Sequence, residues 1–274
     1  MKTCICALAK CENNYLKEWV EHHLSLGFDA IYIYDNNDLD GERVRDVVSC
    51  YPEVIVIEKY LGVKECGFQS RVYTEFWHEH RKECDWVVFI DIDEFIMLEG
   101  YDTIQDFLSQ DKFSNADIVR LRWKVFDDGN MLDVVDGDYS VVGRFKTFRK
   151  TASENCAAKS ILRTGIDIGE NPITPFGYHT DQHLLVVDGE GRICDNSGAK
   201  ITKEVKTPYG GIWLNHYMTK TIGEYVRQKV DRGDVNASET RYGMGLFWAL
   251  NDFSMEKLQY AAEQMKTIRN NGRR

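Results

Sequence analysis

The apolar residues of this chain come in short runs, and over the first ninety positions those runs alternate between two spacings. TCICALA (3–9), DAIYIYD (29–35), EVIVIE (53–58) and the run at 85–90 are of strand length and rich in β-branched and aromatic residues. Between the first two, Leu16, Trp19, Val20, His23 and Leu24 recur at the spacing of one helix face. They predict a helix from a cap at Asn13 or Asn14 to about Leu26, with Gly27 as its stop. A short helix around 41–50 and a longer one over roughly 68–83 fill the next two gaps. Strand and helix thus alternate four times with short connections, which predicts a mostly parallel sheet with helices on both faces. Runs 29–35 and 85–90 are too continuously apolar for a half-exposed antiparallel sheet.

Beyond residue 95 the pattern changes. TIQDFLSQ (103–110) predicts a short helix and ADIVRLRWKVF (116–126) a strand. Residues 127–215 are rich in Gly and Asp and hold strand-like pieces: YSVVGRFKTFRK, HLLVVD and IWLNHY. From Thr221 onward Ile222, Tyr225 and Val226, then Phe247, Leu250 and Phe253, return to helical spacing. The expected architecture is one α/β domain over 1–274, parallel at first, mixed in its second half and helical at its C-terminal end.

Composition narrows the function classes. With 43% hydrophobic and 28% charged residues the chain is ordinary for a globular protein. Its net charge, 34 − 44 = −10, argues against gripping nucleic acid through phosphate neutralisation. No window approaches the ~20 apolar residues of a membrane span, and MKTCICALAKCENN turns polar too soon for a secretory signal. Eight cysteines without a C-x-x-C spacing suggest reduced thiols in a cytoplasmic protein. Lys266, Arg269, Arg273 and Arg274 could give the tail a peripheral contact with an anionic membrane surface.

The candidate chemistry lies where the strands end. In an open parallel sheet, ligands bind beyond the carboxyl ends of the strands. Asp35, Asp91 and the Ala9–Asn14 loop all stand there. Asp91 and Asp93, two apart, point to the same side of an extended chain and repel each other, a conflict that a divalent cation removes. Oxygen ligands suit Mg²⁺ or Mn²⁺. Glu94 carries no signature beyond holding the turn.

These residues resemble nucleotide-sugar glycosyltransferases of the GT-A fold, in the branch of families 2 and 92. The matches are Lys10-Cys11-Glu12 for K-N-E, Glu18 to Gly27 for the helix ending E-W-V-E-H-H-L-S-L-G, Asp35-Asn36 at a strand end, FIDIDEF for the D-x-D motif, RWKVF at Arg122 to Phe126, Lys159-Ser160-Ile161, and LNHY at Leu214 to Tyr217 followed by a helix with Lys229, Arg232 and Gly233. They run in order across about residues 5–235. The resemblance implies a Rossmann-like GT-A sheet whose nucleotide-binding half is 1–95, with an acceptor-side half at 96–218 and C-terminal helices at 219–274. It implies a nucleotide-diphosphate donor, usually a UDP-sugar, held with Mn²⁺ or Mg²⁺; the acceptor's identity does not carry over, and a glycan or glycolipid such as a bacterial lipopolysaccharide or capsule would fit a compact cytosolic enzyme. Asp91 would face the ribose or a metal-bound water, with Ile92 between it and Asp93. Asp93 and His216 would ligate the metal. The Ala7–Glu12 stretch, including Ala9, Lys10 and Glu12, would line the nucleotide, with Asp35 and Asn36 on its base or ribose. Arg71 and Gln69 would contact base or phosphate. Lys159, Lys220, Lys229 and Arg232 could add positive charge at the leaving diphosphate. Two departures stand out: Cys11 replaces the usual Asn, and Asp127-Asp128-Gly129 replaces a Gly-Ser pair on the acceptor side.

An inverting transfer needs a carboxylate base; Asp181, then Asp128 and Asp127, are the candidates. His179 is a candidate acceptor or phosphate contact, whereas His22 and His23, about 100° apart on a helix, cannot form a two-ligand site. Two other readings share these motifs. A haloacid dehalogenase-like Mg²⁺-dependent phosphatase also has D-x-D after an apolar strand, with the first Asp as nucleophile. A non-catalytic nucleotide-sugar-binding module would need broken metal ligands.

Overall fold

The computed structural model describes residues 1–168, 173–174, 177–178, 183–194, 209–233 and 243–271. Its centre is β1 (Thr3–Ala9), every residue of which is buried. β1 lies parallel to β2 (Ala30–Asp35) on one side and to β4 (Trp86–Phe89) on the other, and β3 (Val54–Ile57) adds outside β2 in parallel.

Alternation along β1 explains why these strands are apolar throughout. Ile5, Ala7 and Ala9 point to one face, where they meet Tyr15, Leu16, Trp19 and Val20 of α1 (Asn13–Ser25) and Val48 of α2 (Arg45–Val48). Cys4, Cys6 and Leu8 point to the other, against Val72, Tyr73, Phe76 and Trp77 of α3 (Phe68–His80). A strand covered on both sides has no polar face to show.

The second half extends the same sheet with mixed direction. The order among the described residues is β3-β2-β1-β4-β7-β6-β11-β5, with β5 at Glu94–Leu98, β6 at Ile118–Val125, β7 at Ala158–Arg163 and β11 at Ile212–His216. β7 runs antiparallel between β4 and β6. β11 is parallel to the end of β6 and antiparallel to β5. β10 (Val186–Asp188) pairs with the start of β6, and β8 (Ile173–Thr174) and β9 (Gly177–Tyr178) form a separate two-stranded ribbon. α4 (Ile104–Leu108) starts at a reciprocal Thr103–Asp106 capping box. The C-terminal end is helical as expected: α6 (Ile222–Tyr225), α7 (Met244–Leu250) and α8 (Met255–Asn271). No helix among the described residues is long and apolar enough to cross a membrane.

Four local expectations change. Glu12, not Asn13 or Asn14, holds the N-cap position of α1, and Asn13 Nδ2 donates to the Arg43 carbonyl instead (2.8 Å). The helix expected over 41–50 shrinks to the four residues of α2. YSVVGRFKTFRK was expected to be strand-like, yet it contains the helical turn α5 (Val141–Arg144). Glu18 of α1 accepts from the Val141 and Val142 amides (2.5 and 3.3 Å), supplying charge and acceptors where a helix N-terminus needs both. Glu94, expected to serve a turn, also opens β5.

Candidate active site

The apolar run of β4 stops at Phe89, and the Ile90 amide still donates to the Cys6 carbonyl of β1 (3.3 Å). The next residues make a tight reciprocal turn. Glu94 N–H donates to the Asp91 carbonyl (3.1 Å), and Asp91 N–H donates to Glu94 Oε2 (2.9 Å). This is the capping-box logic applied to a strand end. It turns Asp91 toward the rim and keeps Glu94 fully buried.

Three other elements converge on that turn. Lys159, near the start of β7 and 1% exposed, places its ammonium 2.9 Å from Asp91 Oδ2 and 3.3 Å from Glu94 Oε2. Gln69, in the first turn of α3, donates from Nε2 to Asp91 Oδ1 (2.6 Å) and to the Tyr73 hydroxyl (2.8 Å). His216 ends β11, whose antiparallel register sets it opposite Glu94, and Tyr217 N–H donates to the Asp93 carbonyl (2.9 Å). His216 Nε2 thereby lies 3.4 Å from Asp93 Oδ1, with the Trp123 ring packed against the imidazole. Lys229 Nζ is 3.1 Å from Asp93 Oδ2.

The charges order themselves accordingly. Burial would raise the Asp91 carboxyl, but Lys159 holds it below its usual value. Burial opposes ionisation of Asp93 too, yet Lys229 and His216 hold it well below the carboxylate range. Glu94 goes the other way: burial, with Asp91 close by, pushes it up to about 7 despite Lys159. Two carboxylates are thus kept ionised at the rim and a third sits behind them near its midpoint at neutral pH.

The C-terminal helical region closes the site from the β1 side. Thr221 and Glu224 form a capping box, and Glu224 also takes a bidentate pair from Arg144 (2.8 and 2.9 Å) and the Tyr15 hydroxyl (2.8 Å). Residues Val226–Asp231 then widen into a π-helix, a geometry that recurs at functional sites. Gln228 reaches the Cys11 carbonyl and Glu12 (both 3.4 Å). Arg232 reaches the Lys10 carbonyl (2.5 Å) and Glu12 Oε1 (2.9 Å), and Lys229 reaches Asp93. Lys220, in the left-handed backbone region at φ 51°, donates to Gln228 Oε1 (3.2 Å).

The residues expected at the site therefore divide. Asp91, Asp93, His216, Gln69, Lys159, Lys229 and Glu12 come together, while Lys10 joins through its carbonyl and its ammonium pairs with Asp38 at 3.3 Å. Asp35 is fully buried and spent on the backbone: Oδ1 accepts from Asn37 N–H and Nδ2, and Oδ2 from Val44 N–H. Asn36 Nδ2 is likewise consumed by the carbonyls of Tyr60 and Val63. Both shape the loop after β2, with the Asp35 carboxylate and the Asn36 Nδ2 turned to partners inside the protein. Ala7, Ala9 and Ile92 are core residues. Arg71 stands outside the cluster, paired with Glu65 at 2.6 Å and lying over the Tyr60 and Phe68 rings. Asp128 is buried in an ion pair with Lys257 of α8 (2.6 Å). Asp127 beside it is half-buried, its carboxyl raised by burial. Asp181 and His179 lie outside the described residues. Arg232, expected to add positive charge, also joins the cluster through Glu12 and the Lys10 carbonyl, and the structure adds Glu94 and Gln228. Glu94 had a readable signal, since it follows Asp91 at the three-residue spacing of a reciprocal cap.

The residues fit a divalent cation as a partial set. Among the described residues no group of three or more His, Cys, Asp or Glu is gathered as a metal site. Asp93 and His216 are nevertheless close enough for one small cation to touch both, and His216 Nδ1 is buried without a hydrogen-bond partner among the described residues. Mg²⁺-type sites commonly take only one or two protein carboxylates and complete themselves with substrate phosphates and water.

Residues 1–165 match the family model of glycosyltransferase family 92. The chain belongs to that family. A family 92 protein of Oryza sativa subsp. japonica is 34% identical over 108 residues, covering 38% of this chain and 18% of that protein. One of Ricinus communis is 31% identical over 127 residues, covering 43% and 21%. The matched stretch thus spans about a fifth of these family 92 relatives. Among solved structures, residues 1–349 of S. aureus TarS are similar at 12% identity and a TM-score of 0.41, covering 97% of this chain and 71% of that one. The mannosyltransferase PcManGT from Pyrobaculum calidifontis, in complex with GDP-Man and Mn²⁺, is similar at 11% identity and a TM-score of 0.31, covering 44% and 35%. The family match covers β1 to β7, which includes the turn at Asp91–Glu94 and Lys159.

Proposed function

We propose that this chain transfers a glycosyl group from a nucleoside-diphosphate sugar, of the UDP-sugar class, to a hydroxyl of a glycan or glycolipid. The observation that carries the reading is the convergence on Asp93. A strand-end carboxylate is held ionised between an imidazole at 3.4 Å and an ammonium at 3.1 Å, at the rim where an open α/β sheet binds ligands. Asp93 and His216 would hold Mn²⁺ or Mg²⁺, which when bound supplies Lewis-acid stabilisation to the departing diphosphate.

The protein's own groups do the rest. Lys159 and Gln69 fix both oxygens of Asp91, orienting it toward the donor's ribose side. Lys229 and Arg232 bring positive charge to the rim on which the diphosphate leaves. In the inverting reaction the acceptor oxygen bonds to the anomeric carbon, and the bond from that carbon to the phosphate oxygen breaks with its electron pair. A carboxylate takes the acceptor's proton. Of the described candidates Asp127 fits that last role better than Asp128, whose charge is committed to Lys257. The phosphatase alternative requires Asp91 as a free nucleophile, and both of its oxygens are already held.

The test is binding. With Mn²⁺ present, one or more members of a panel of UDP- and GDP-sugars should raise the melting temperature of the protein, and Asp93→Ala should lose the effect. An unchanged melting temperature across the whole panel overturns the proposal.

A further inference from the structure

The side chain that faces Asp93 most directly is a tethered cation. Lys229 Nζ lies 3.1 Å from Asp93 Oδ2, and Asp93 is the one hydrogen-bond partner of that ammonium among the described residues, although it can donate three. The Asp93 side chain is 5% exposed, so its carboxylate has little room for a hydrated cation while the ammonium stays.

The backbone beneath Lys229 is fixed on both sides. Arg227 makes a bidentate pair with Asp133 (2.5 and 2.8 Å), and Arg232 is pinned to Glu12 and the Lys10 carbonyl. The Lys229 side chain itself is 19% exposed and has four methylenes of reach. The segment is anchored on both sides of Lys229, whose long stem could carry the ammonium from Asp93 to another acceptor without moving the backbone.

We propose that Lys229 is the counter-ion that Asp93 exchanges for a divalent cation, and that the exchange couples metal binding to diphosphate binding. A cation arriving alone must displace an ammonium that then loses its partner. A cation arriving with a nucleoside diphosphate brings phosphate oxygens that accept the released ammonium. A diphosphate arriving alone meets Asp91 and Asp93 with no cation between. Each ligand therefore strengthens the other by the same factor. The proposal rests on the donor reading above and adds the order in which its parts assemble.

The experiment is Mn²⁺ titration followed by electron paramagnetic resonance of free Mn²⁺, with and without UDP, on the wild type, Lys229→Met and Lys229→Arg. The wild type should bind Mn²⁺ weakly alone and at least about tenfold more tightly with UDP, within the usual range for coupled sites. Lys229→Met should bind Mn²⁺ alone about tenfold more tightly than the wild type and show a smaller UDP effect, keeping only the part that comes from a cation between the diphosphate and the two carboxylates. Lys229→Arg, which keeps the charge, should stay near the wild type and shows that the segment tolerates substitution. Coupling in the wild type that survives unchanged in Lys229→Met overturns the exchange and leaves the donor reading standing. No Mn²⁺ binding by the wild type even with UDP overturns both.

Discussion

Asp91 and Glu94 share one lysine, and that sharing makes Lys159 the residue on which the turn depends most. It is 1% exposed and lies against both the ionised Asp91 and the fully buried Glu94. Removing one partner of a buried ion pair leaves the other charge uncompensated, at a cost of about 3–5 kcal/mol. Lys159→Met should therefore lose about 3 kcal/mol or more in urea unfolding, and a loss below about 1 kcal/mol would put the pair at the level of a surface contact. Cys11 makes a second residue-scale case. It sits at φ 55°, where side chains other than Gly, Asn and Asp are disfavoured. The K-N-E pattern has Asn at this position, the residue best suited to that backbone. Cys11→Asn should stabilise the protein by about 0.5–1 kcal/mol, as expected where a local backbone conflict is relieved. A melting temperature that falls would show the thiol making a contact worth more than the strain.

At the scale of elements, the π-helical segment is where sequence and structure diverge most. Periodicity predicts a helix after Thr221, and the Thr221–Glu224 capping box confirms its start. Nothing in the spacing announces the wider turn, because it depends on anchors distant in sequence: Asp133 for Arg227, Glu12 for Arg232 and Asp93 for Lys229. The same holds for α5, whose N-terminus is held by Glu18 from 123 residues away. By contrast the strands β1, β2 and β4 were plain from their apolar runs, since burial on both faces writes itself into consecutive residues. Asp35 shows the limit of that reasoning. A carboxylate at a strand end looks the same in sequence whether it faces a ligand or caps the next loop, and here it takes the Val44 and Asn37 amides. The Asp133 clamp carries a pH prediction. Burial would raise its carboxyl, but hydrogen bonds from Arg227 and Tyr260 lower it to about 2. A carboxylate whose folded value lies below its ordinary value of about 4 adds stability above pH ~4 and loses it as pH falls toward 2. Asp133→Asn should flatten the stability–pH curve over that window, measured by urea midpoints from pH 5 to pH 2. A curve identical to the wild type would show that the clamp contributes nothing.

At the scale of the whole molecule, one sheet carries both halves of the site. The turn after β4 supplies Asp91 and Asp93, and β11, from more than a hundred residues later, returns to place His216 against them. Asp91, Asp93 and His216 were legible as candidates from strand-end position and resemblance. Arg232 was legible as a nearby cation and Glu94 by its spacing from Asp91, whereas Gln228, bonded to the Cys11 carbonyl and Glu12, became clear only when the π-helical segment was seen to meet the end of β1. The base, by contrast, depends on the acceptor side, where Asp128 is neutralised by Lys257, and among the described candidates the proposal places it on Asp127. Asp127→Asn should lower turnover by about a hundredfold or more, the lower end of general-base contributions, with little change in donor affinity; unchanged turnover would remove Asp127 from the reaction. The most direct measurement for the account as a whole is release of free nucleotide from UDP- and GDP-sugars in the presence of Mn²⁺, for the wild type and for Asp93→Ala. The account predicts release by the wild type from at least one donor and none above background by the variant. Equal release by both proteins, or release by neither from any donor, would contradict it.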